Sequence, residues 1–141
     1  MKNNLLQVVI DTNVIIRAAS SRSLANPIFI ALLNQKFVLC ITTEILLEYE
    51  EKLVEIYDIE VAELVIGVLM ILPNVKRVET FYNLRLIISD VDDDKFVDCA
   101  FASNAHYIVS EDRHFKILKK IDFPHINIIK FDQFKQILNS F

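Results

Sequence analysis

The sequence predicts an α/β fold, in which helices cover both faces of a mainly parallel sheet as a three-layer α/β/α sandwich. Short β-favouring apolar runs alternate with segments of helical period along the whole chain, which is the pattern of parallel α/β domains. The first run, residues 5–10, is typical of a strand that is buried on both faces. With 141 residues, 53% of them hydrophobic, we expect residues 1–141 to form a single domain.

The first half of the chain predicts two strands, at residues 5–10 and 37–41, and four helices, at residues 12–20, 27–35, 42–57 and 60–72. Asn26 and Pro27 are an N-cap residue followed by a proline at the first helical position. Thr42 or Thr43 caps the third helix, whose apolar residues recur at the helical period. Pro73 ends the fourth helix because proline cannot continue it.

The second half predicts shorter elements. Strands are expected at residues 75–77, 107–109 and 126–130, and helices are expected to end at about residue 104 and to span residues 115–120 and 132–138. Residues 84–88 fit either a strand or a loop. An acidic cluster at residues 90–94 precedes the first of these helices. We expect Asp132 to cap the last helix.

Gly67 is the only glycine in the chain, and this excludes several glycine-dependent binding and catalytic motifs. A Walker loop, a G-x-G-x-x-G dinucleotide turn and a G-x-S-x-G nucleophile elbow all need more than one glycine. Any phosphate chemistry therefore cannot use a glycine-rich loop. Gly67 itself lies inside the predicted helix at residues 60–72, where we interpret it as a close-packing point in the core or a dimer contact.

The net charge and the mean hydropathy of the chain limit the kinds of partner that it is expected to bind. The net charge of −4 is not the basic footprint of a simple nucleic-acid-binding module. The longest apolar stretch, residues 64–73, is too short to span a membrane. The mean hydropathy of +0.36 predicts a surface that is buried in an oligomer or against a partner. The helix at residues 60–72 is apolar nearly all round, so it is either central in the core or covered by another chain.

The chain starts without the pattern of a signal peptide, and its two cysteines are not spaced as a disulfide framework. Cys40 and Cys99 lie within apolar runs, which is typical of reduced thiols in a core. Together these features predict a cytoplasmic protein.

Acidic residues follow two predicted strands and the apolar run at residues 84–88. They are Asp11, the cluster at residues 90–94, and Asp112. Because ligands of parallel α/β sheets bind at the carboxyl ends of the strands, these carboxylates are expected to converge there. Converging carboxylates repel one another unless a cation lies between them, and hard oxygen ligands suit Mg²⁺ or Mn²⁺. The plainer alternative is that each acid only caps a helix or turn.

Four segments, in order along the chain, resemble the motifs of the PIN-domain nucleases. They are VVIDTN at residues 8–13, TTEILLEY at 42–49, DVDDDKFVDCA at 90–100 and NAHYIVSEDRHF at 104–115. The resemblance covers about residues 7–131 and is nearest to the bacterial PIN proteins of toxin–antitoxin pairs, the relatives of VapC. It implies the PIN-like version of the α/β/α sandwich.

The resemblance also implies roles for individual residues. The implied catalytic acids are Asp11, Glu48, Asp93 and Asp112, and the implied metal ligands are Asp11, Asp93 and Asp112. Polar support is implied for Asn13 and Ser110. Further candidates are Asp92, Asp94, Asp98 and Glu111.

Two of these assignments have an alternative in the sequence. Glu44, Glu48, Glu51 and Glu55 share one helical face, which by spacing alone is a solvated face. Glu111 stands where the family commonly has glycine, so it either adds charge beside the site or bends the loop differently.

The implied function is hydrolysis of RNA phosphodiesters by an endoribonuclease that uses Mg²⁺ or Mn²⁺, as the toxin of a toxin–antitoxin pair. The implied partners are an RNA substrate, a second copy in a homodimer and an antitoxin protein, with no membrane. The alternative is a PIN-like protein-interaction module with a latent or inactive site. A phosphotransfer enzyme of the haloacid type is disfavoured because it needs an aspartate where Asn13 stands.

Overall fold

The computed structural model describes residues 5–80, 91–112, 115 and 126–140, with the backbone alone at residues 91–94. Within this part, five parallel strands form one sheet in the order β3-β2-β1-β4-β5. The strands are β1 (Gln7–Ile10), β2 (Val38–Ile41), β3 (Val75–Arg77), β4 (Tyr107–Val109) and β5 (Ile128–Ile129). The predicted parallel sheet is confirmed.

Six helices of the described residues flank the sheet and complete the predicted three-layer α/β/α sandwich. They are α1 (Thr12–Ala18), α2 (Asn26–Leu33), α3 (Thr43–Ile56), α4 (Ile59–Ile71), α5 (Val91–Ser103) and α6 (Phe131–Asn139). Helix α5 packs against β1, β2 and β4, whereas α1 contacts α2 and α3. The predicted elements at residues 84–88 and, apart from Phe115, at 115–120 lie outside the described residues.

Strand order places a crevice between the ends of β1 and β4. Within the sheet, β2 and β3 lie on one side of β1, and β4 and β5 lie on its other side. Such a switch point is where parallel α/β sheets bind ligands. The two strand ends are level, because Ile10 is paired with Val109 and the N–H of Asp11 donates to the carbonyl of Val109 at 2.9 Å.

Helix starts follow the predicted capping rules in part. The hydroxyl of Thr42 accepts the N–H of Ile45 at 3.1 Å and caps α3 as expected. Asn26, however, does not cap α2: Ala25 holds the N-cap position, and the side-chain amide of Asn26 donates to the carbonyl of Ala18. The prediction for Asn26 is wrong because α2 starts one residue earlier than expected, so that Asn26 lies in the first turn with its side-chain amide directed at the end of α1.

The prediction that Asp132 caps α6 is also wrong. Lys130 occupies the N-cap position and Asp132 lies in the first helical turn. Two other residues accept the N–H groups at this end: Gln133, in the first turn of α6, accepts from the N–H of Lys130, and Glu111, in the loop after β4, accepts from the N–H of Phe131, both at 2.9 Å. A carboxylate from a distant loop therefore replaces the local cap that the sequence suggested.

Both cysteines are buried and neither forms a disulfide, as predicted for core thiols. Burial raises the pKa of the Cys40 and Cys99 thiols, so both stay protonated near neutral pH. In the described residues no helix is long and apolar enough to cross a membrane.

Helix α4 packs through one face only. Its buried residues are Ala62, Val65, Ile66 and Leu69, while apolar residues elsewhere on the helix reach solvent, with Ile71 at 80% exposure. Helix α4 is therefore not central in the core. Gly67 is exposed, and a Cβ atom built on it would meet nothing within 4 Å. The interpretation of Gly67 as a close-packing point in the core is wrong, because the helix turns this side outward.

Gly67→Ala is expected to stabilise the protein by about 0.5–1 kcal/mol, since it removes backbone freedom from the unfolded chain and meets open space in the folded one. Urea unfolding followed by circular dichroism measures the change. Gly67→Pro is the opposing control and should cost about 3 kcal/mol or more, because α4 is helical at this point. Destabilisation by alanine would contradict the exposed placement.

Candidate active site

Ser110 joins two of the predicted acids at the crevice between β1 and β4. Its hydroxyl donates to the carboxylate of Asp11 (Oδ2) at 2.8 Å and accepts the backbone N–H of Asp112 at 2.9 Å. Asp11 follows β1 directly and Ser110 follows β4 directly, so the parallel register brings them together across 99 residues of sequence. Ser110 therefore fixes the position of Asp11 and the turn that carries Asp112.

Glu48 approaches from α3 and is held by two contacts. Its carboxylate accepts a hydrogen bond from the hydroxyl of Thr12 and forms an ion pair with the ammonium group of Lys95 at 2.6 Å. Thr12 begins α1, and Lys95 lies on α5. Glu48 is thus bonded to residues of two other helices, α1 and α5, and does not belong to a freely solvated face.

A buried tyrosine holds α3 in position for this contact. The hydroxyl of Tyr49 donates to the backbone carbonyl of Ile10, the residue before Asp11. Burial raises the pKa of Tyr49 well above its usual value, so the hydroxyl keeps its proton and remains a donor. The bond connects the helix of Glu48 directly to the strand end that presents Asp11.

Burial raises the pKa of Asp11 from 3.8 to about 6. The hydrogen bonds from Ser110 and from the backbone of Thr12 act in the opposite direction, and the nearby charges of Asp112 and Glu48 raise the pKa further. A carboxylate that is buried beside two other carboxylates is an unfavourable arrangement unless positive charge offsets it. Perturbed acids of this kind are concentrated at functional sites.

A family model described as the PIN domain matches residues 7–114. The chain belongs to the PIN-domain family. PIN-domain proteins are generally nucleases, and the predicted resemblance is confirmed.

The fold of this PIN domain is similar to that of a chain in the crystal structure of VapBC2 from Rickettsia felis, bound to a DNA fragment from its promoter. The TM-score is 0.61 at 17% sequence identity, and the match covers 89% of this chain and 98% of that chain. At this identity the likeness concerns the fold alone. No curated protein matches the sequence.

The structure brings Asp11, Glu48, Ser110 and Asp112 of the predicted set together. Asp11 holds the N-cap position of α1, but its side chain makes no capping bond there and instead faces Ser110. Sequence reasoning did not single out Thr12 and Lys95. The sequence contained a signal for both residues, because Thr12 follows the first acid and Lys95 is the only cation in the motif at residues 90–100.

The other predicted residues lie at several different places. Asn13 is exposed on the first turn of α1, and its side chain forms no hydrogen bond within the described residues. Asp98 is buried on α5. The side chains of Asp92, Asp93 and Asp94 lie outside the described residues, so their assignment stays a prediction.

Glu111 turns away from the acids. Its carboxylate accepts the N–H of Phe131 at the start of α6, where the positive end of the helix dipole favours a negative charge. Glu111, at the position where the family commonly has glycine, thereby attaches α6 to the loop after β4.

Glu111→Ala is expected to cost about 1 kcal/mol of stability through loss of a capping contact, and to leave the affinity for Mn²⁺ unchanged. The matched control is Glu111→Gln, which keeps an oxygen acceptor and should recover most of the loss. Urea unfolding and a Mn²⁺ titration measure the two quantities. A weakened Mn²⁺ affinity in both variants would instead make Glu111 part of the acid site.

Proposed function

We propose that this PIN domain is an endoribonuclease that depends on Mg²⁺ or Mn²⁺ and acts in the cytoplasm as the toxin of a toxin–antitoxin pair. The observation that carries the proposal is the hydroxyl of Ser110, which holds Asp11 and the Asp112 turn together at the switch point of the sheet. Membership of a family that generally consists of nucleases supports the activity. The likeness to a VapBC chain supports the toxin role.

The donor chemistry of the site fits a hard divalent cation. Asp11 and Asp112 offer carboxylate oxygens, and these are the ligands that Mg²⁺ and Mn²⁺ prefer. The raised pKa of Asp11 near two other acids is the electrostatic state that a cation would relieve. Within the described residues no cluster of three or more His, Cys, Asp or Glu side chains is arranged to hold a metal. The side chain of the proposed third ligand, Asp93, lies outside that description.

Each residue then has a separate task. Asp11 and Asp112, with Asp93, would hold the ion, and Ser110 keeps the first two in register. Glu48 presents a fixed carboxylate from α3, because Thr12 and Lys95 hold it, and would orient the attacking water. A bound ion of this class lowers the pKa of water and offsets the charge that develops on a phosphate during hydrolysis.

The test is cleavage of a panel of single-stranded RNAs by purified protein with Mg²⁺ or Mn²⁺. We expect cleavage that chelation abolishes and that Asp112→Asn lowers by about 10²-fold or more, the range for loss of a group that stabilises developing charge. Glu111→Gln is the neighbouring control and should keep the activity. An intact RNA panel with metal-loaded protein would contradict the proposal, and parallel DNA substrates define the specificity.

The second candidate is a protein-interaction module with a latent site. The exposed apolar side of α4 favours it, because a patch of this kind is typical of a surface covered by another chain. Failure of all nucleic acids to be cut, together with retained Mn²⁺ affinity, would favour this candidate. The homodimer stays a prediction, for which sedimentation over a dilution series is the measurement.

A further inference from the structure

Lys95 brings a positive charge into the acid site from helix α5. Its side chain is 8% exposed, and its ammonium group lies 2.6 Å from the Oε1 atom of Glu48. The ammonium group also lies over the buried ring of Phe96, at 5.2 Å from the ring centre, which is within the range of a cation–π interaction. Burying a charge is costly unless it is paired, so these contacts keep the ammonium group where it is.

Both carboxylate oxygens of Glu48 are already bound. Oε1 faces Lys95, and Oε2 accepts a hydrogen bond from the hydroxyl of Thr12. A magnesium ion that used Glu48 as a ligand would lie about 2.1 Å from one of these oxygens. At Oε1 it would meet the like charge of the ammonium group at close range. The ammonium group therefore occupies the position that a divalent ion on Glu48 would need.

The charges at the site match one divalent ion. The three carboxylates that the structure describes there belong to Asp11, Glu48 and Asp112, and the charges of the last two both act on Asp11. The ion pair with Lys95 offsets the charge of Glu48. Two negative charges remain, on the two acids that Ser110 holds together. A single Mg²⁺ or Mn²⁺ ion neutralises two such charges.

We propose that Lys95 is a positioning residue that takes the place of a second metal ion, so that the acid site binds one Mg²⁺ or Mn²⁺ ion per chain. The inference rests on the proposed function, to which the ion held by Asp11 and Asp112 belongs. Because Lys95 and Thr12 bind both oxygens of Glu48, this carboxylate stays outside the coordination of the ion. Removing the ammonium group frees the carboxylate and creates a second cation site beside the first.

The test counts the Mn²⁺ ions that bind to the full chain without RNA. Titration calorimetry and electron paramagnetic resonance of unbound Mn²⁺ both give this count. We expect one ion per wild-type chain and two ions per chain of Lys95→Met. The first ion should bind about tenfold more tightly to Lys95→Met, since a nearby positive charge no longer repels it. A lysine that only stabilises the fold would leave the count at one.

Further variants separate the charge of Lys95 from its role in folding. Lys95→Arg keeps the charge and should bind one ion. Glu48→Gln combined with Lys95→Met removes the freed carboxylate and should return the count to one. Lys52→Met opens the exposed ion pair with Glu55 and is the matched control, for which we also expect one ion. Circular dichroism checks that each variant is folded, and Lys95→Gln replaces Lys95→Met if the methionine variant does not fold.

Four results would overturn the inference. Two ions on the wild-type chain would show that Lys95 does not exclude a second ion, and the proposed nuclease would then stand as a two-metal enzyme. One ion on a folded variant without the ammonium group would mean that Glu48 attracts no ion. Two ions on the double variant with Glu48→Gln would place the second ion elsewhere. No Mn²⁺ on any variant would remove the proposed metal-dependent function as well.

Failure of the proposed function alone has a different signature. An RNA panel that stays intact, with one ion on the wild-type chain and two on Lys95→Met, would contradict the nuclease activity. The role of Lys95 in setting the number of bound ions would stand.

Discussion

Asp11→Asn is expected to abolish metal-dependent cleavage while making the metal-free protein more stable at neutral pH. The two effects have one cause, since the buried charge that would hold the cation is costly when the cation is absent. A pKa raised from 3.8 to about 6 corresponds to about 3 kcal/mol. Asparagine keeps the shape and an oxygen acceptor for Ser110 without the charge.

The size of this stabilisation depends on pH. Below pH 3.8 Asp11 is protonated in both the folded and unfolded states, so the substitution changes little there. As the pH rises from 3.8 to about 6, the unfolded state loses its proton first and the folded wild-type protein loses stability. The advantage of Asp11→Asn should therefore grow from about 1 kcal/mol at pH 4.5 to about 3 kcal/mol at pH 8.

Urea unfolding with a chelator present, at several pH values, measures this difference. Asp132→Asn replaces an exposed acid on α6 and is the control, for which we expect no such growth. A stability difference that stays flat between pH 4.5 and 8 would mean that the Asp11 carboxylate is not destabilised by its surroundings. Cleavage by the variant at the wild-type rate would remove Asp11 from the reaction.

Lys95→Met is expected to destabilise the metal-free protein by about 2 kcal/mol. The side chain of Lys95 is 8% exposed and that of Glu48 is 28% exposed, so removing the ammonium group leaves a partly buried carboxylate beside Asp11 without its counter-ion. Breaking a fully buried pair costs about 3–5 kcal/mol, and the exposure of Glu48 lowers that figure. Added Mg²⁺ should recover part of the loss by supplying positive charge.

A double-mutant cycle tests the cause. Glu48→Gln combined with Lys95→Met should be more stable than Lys95→Met alone, since the unpaired charge has been removed. Lys52→Met is the matched control. It breaks the ion pair between Lys52 and Glu55. Both side chains are about half exposed, so the substitution should cost less than about 0.5 kcal/mol. No recovery in the double variant would show that Lys95 acts through other contacts.

The local elements could be predicted from the sequence because short-range physics determines them. Strands β3 and β4 match the predicted ranges at residues 75–77 and 107–109. The apolar run of β4 ends in two buried residues, as expected inside a parallel sheet, whereas β3 has one apolar residue, Val75, followed by two exposed cations, as is common on an edge strand. The start of α3 also matches, because a threonine hydroxyl satisfies a helix N–H three residues away and needs no distant partner. Local capping rules failed where a group outside the segment takes part: the side-chain amide of Asn26 donates to the carbonyl of Ala18, and Glu111 accepts the N–H of Phe131 near Asp132.

The candidate site was predictable in its acids but not in their contacts. Asp11 and Asp112 follow strands whose parallel alignment brings their ends together, so the sequence alone predicted that they converge. That Ser110 links them was implied only as general support. The pairing of Glu48 with Lys95, and the capping of α6 by Glu111, depend on how α3, α5 and α6 pack.

The sequence by itself determined the alternation of strands and helices, the order of the acids along the chain and the absence of glycine-rich phosphate loops. These follow from residue type and spacing, which folding does not change. Only the tertiary structure decided which side of α4 faces water, which charges lie beside Asp11 and which helix end Glu111 reaches. Such facts depend on long-range packing, because a side chain's burial and partners are set by the elements that fold against it.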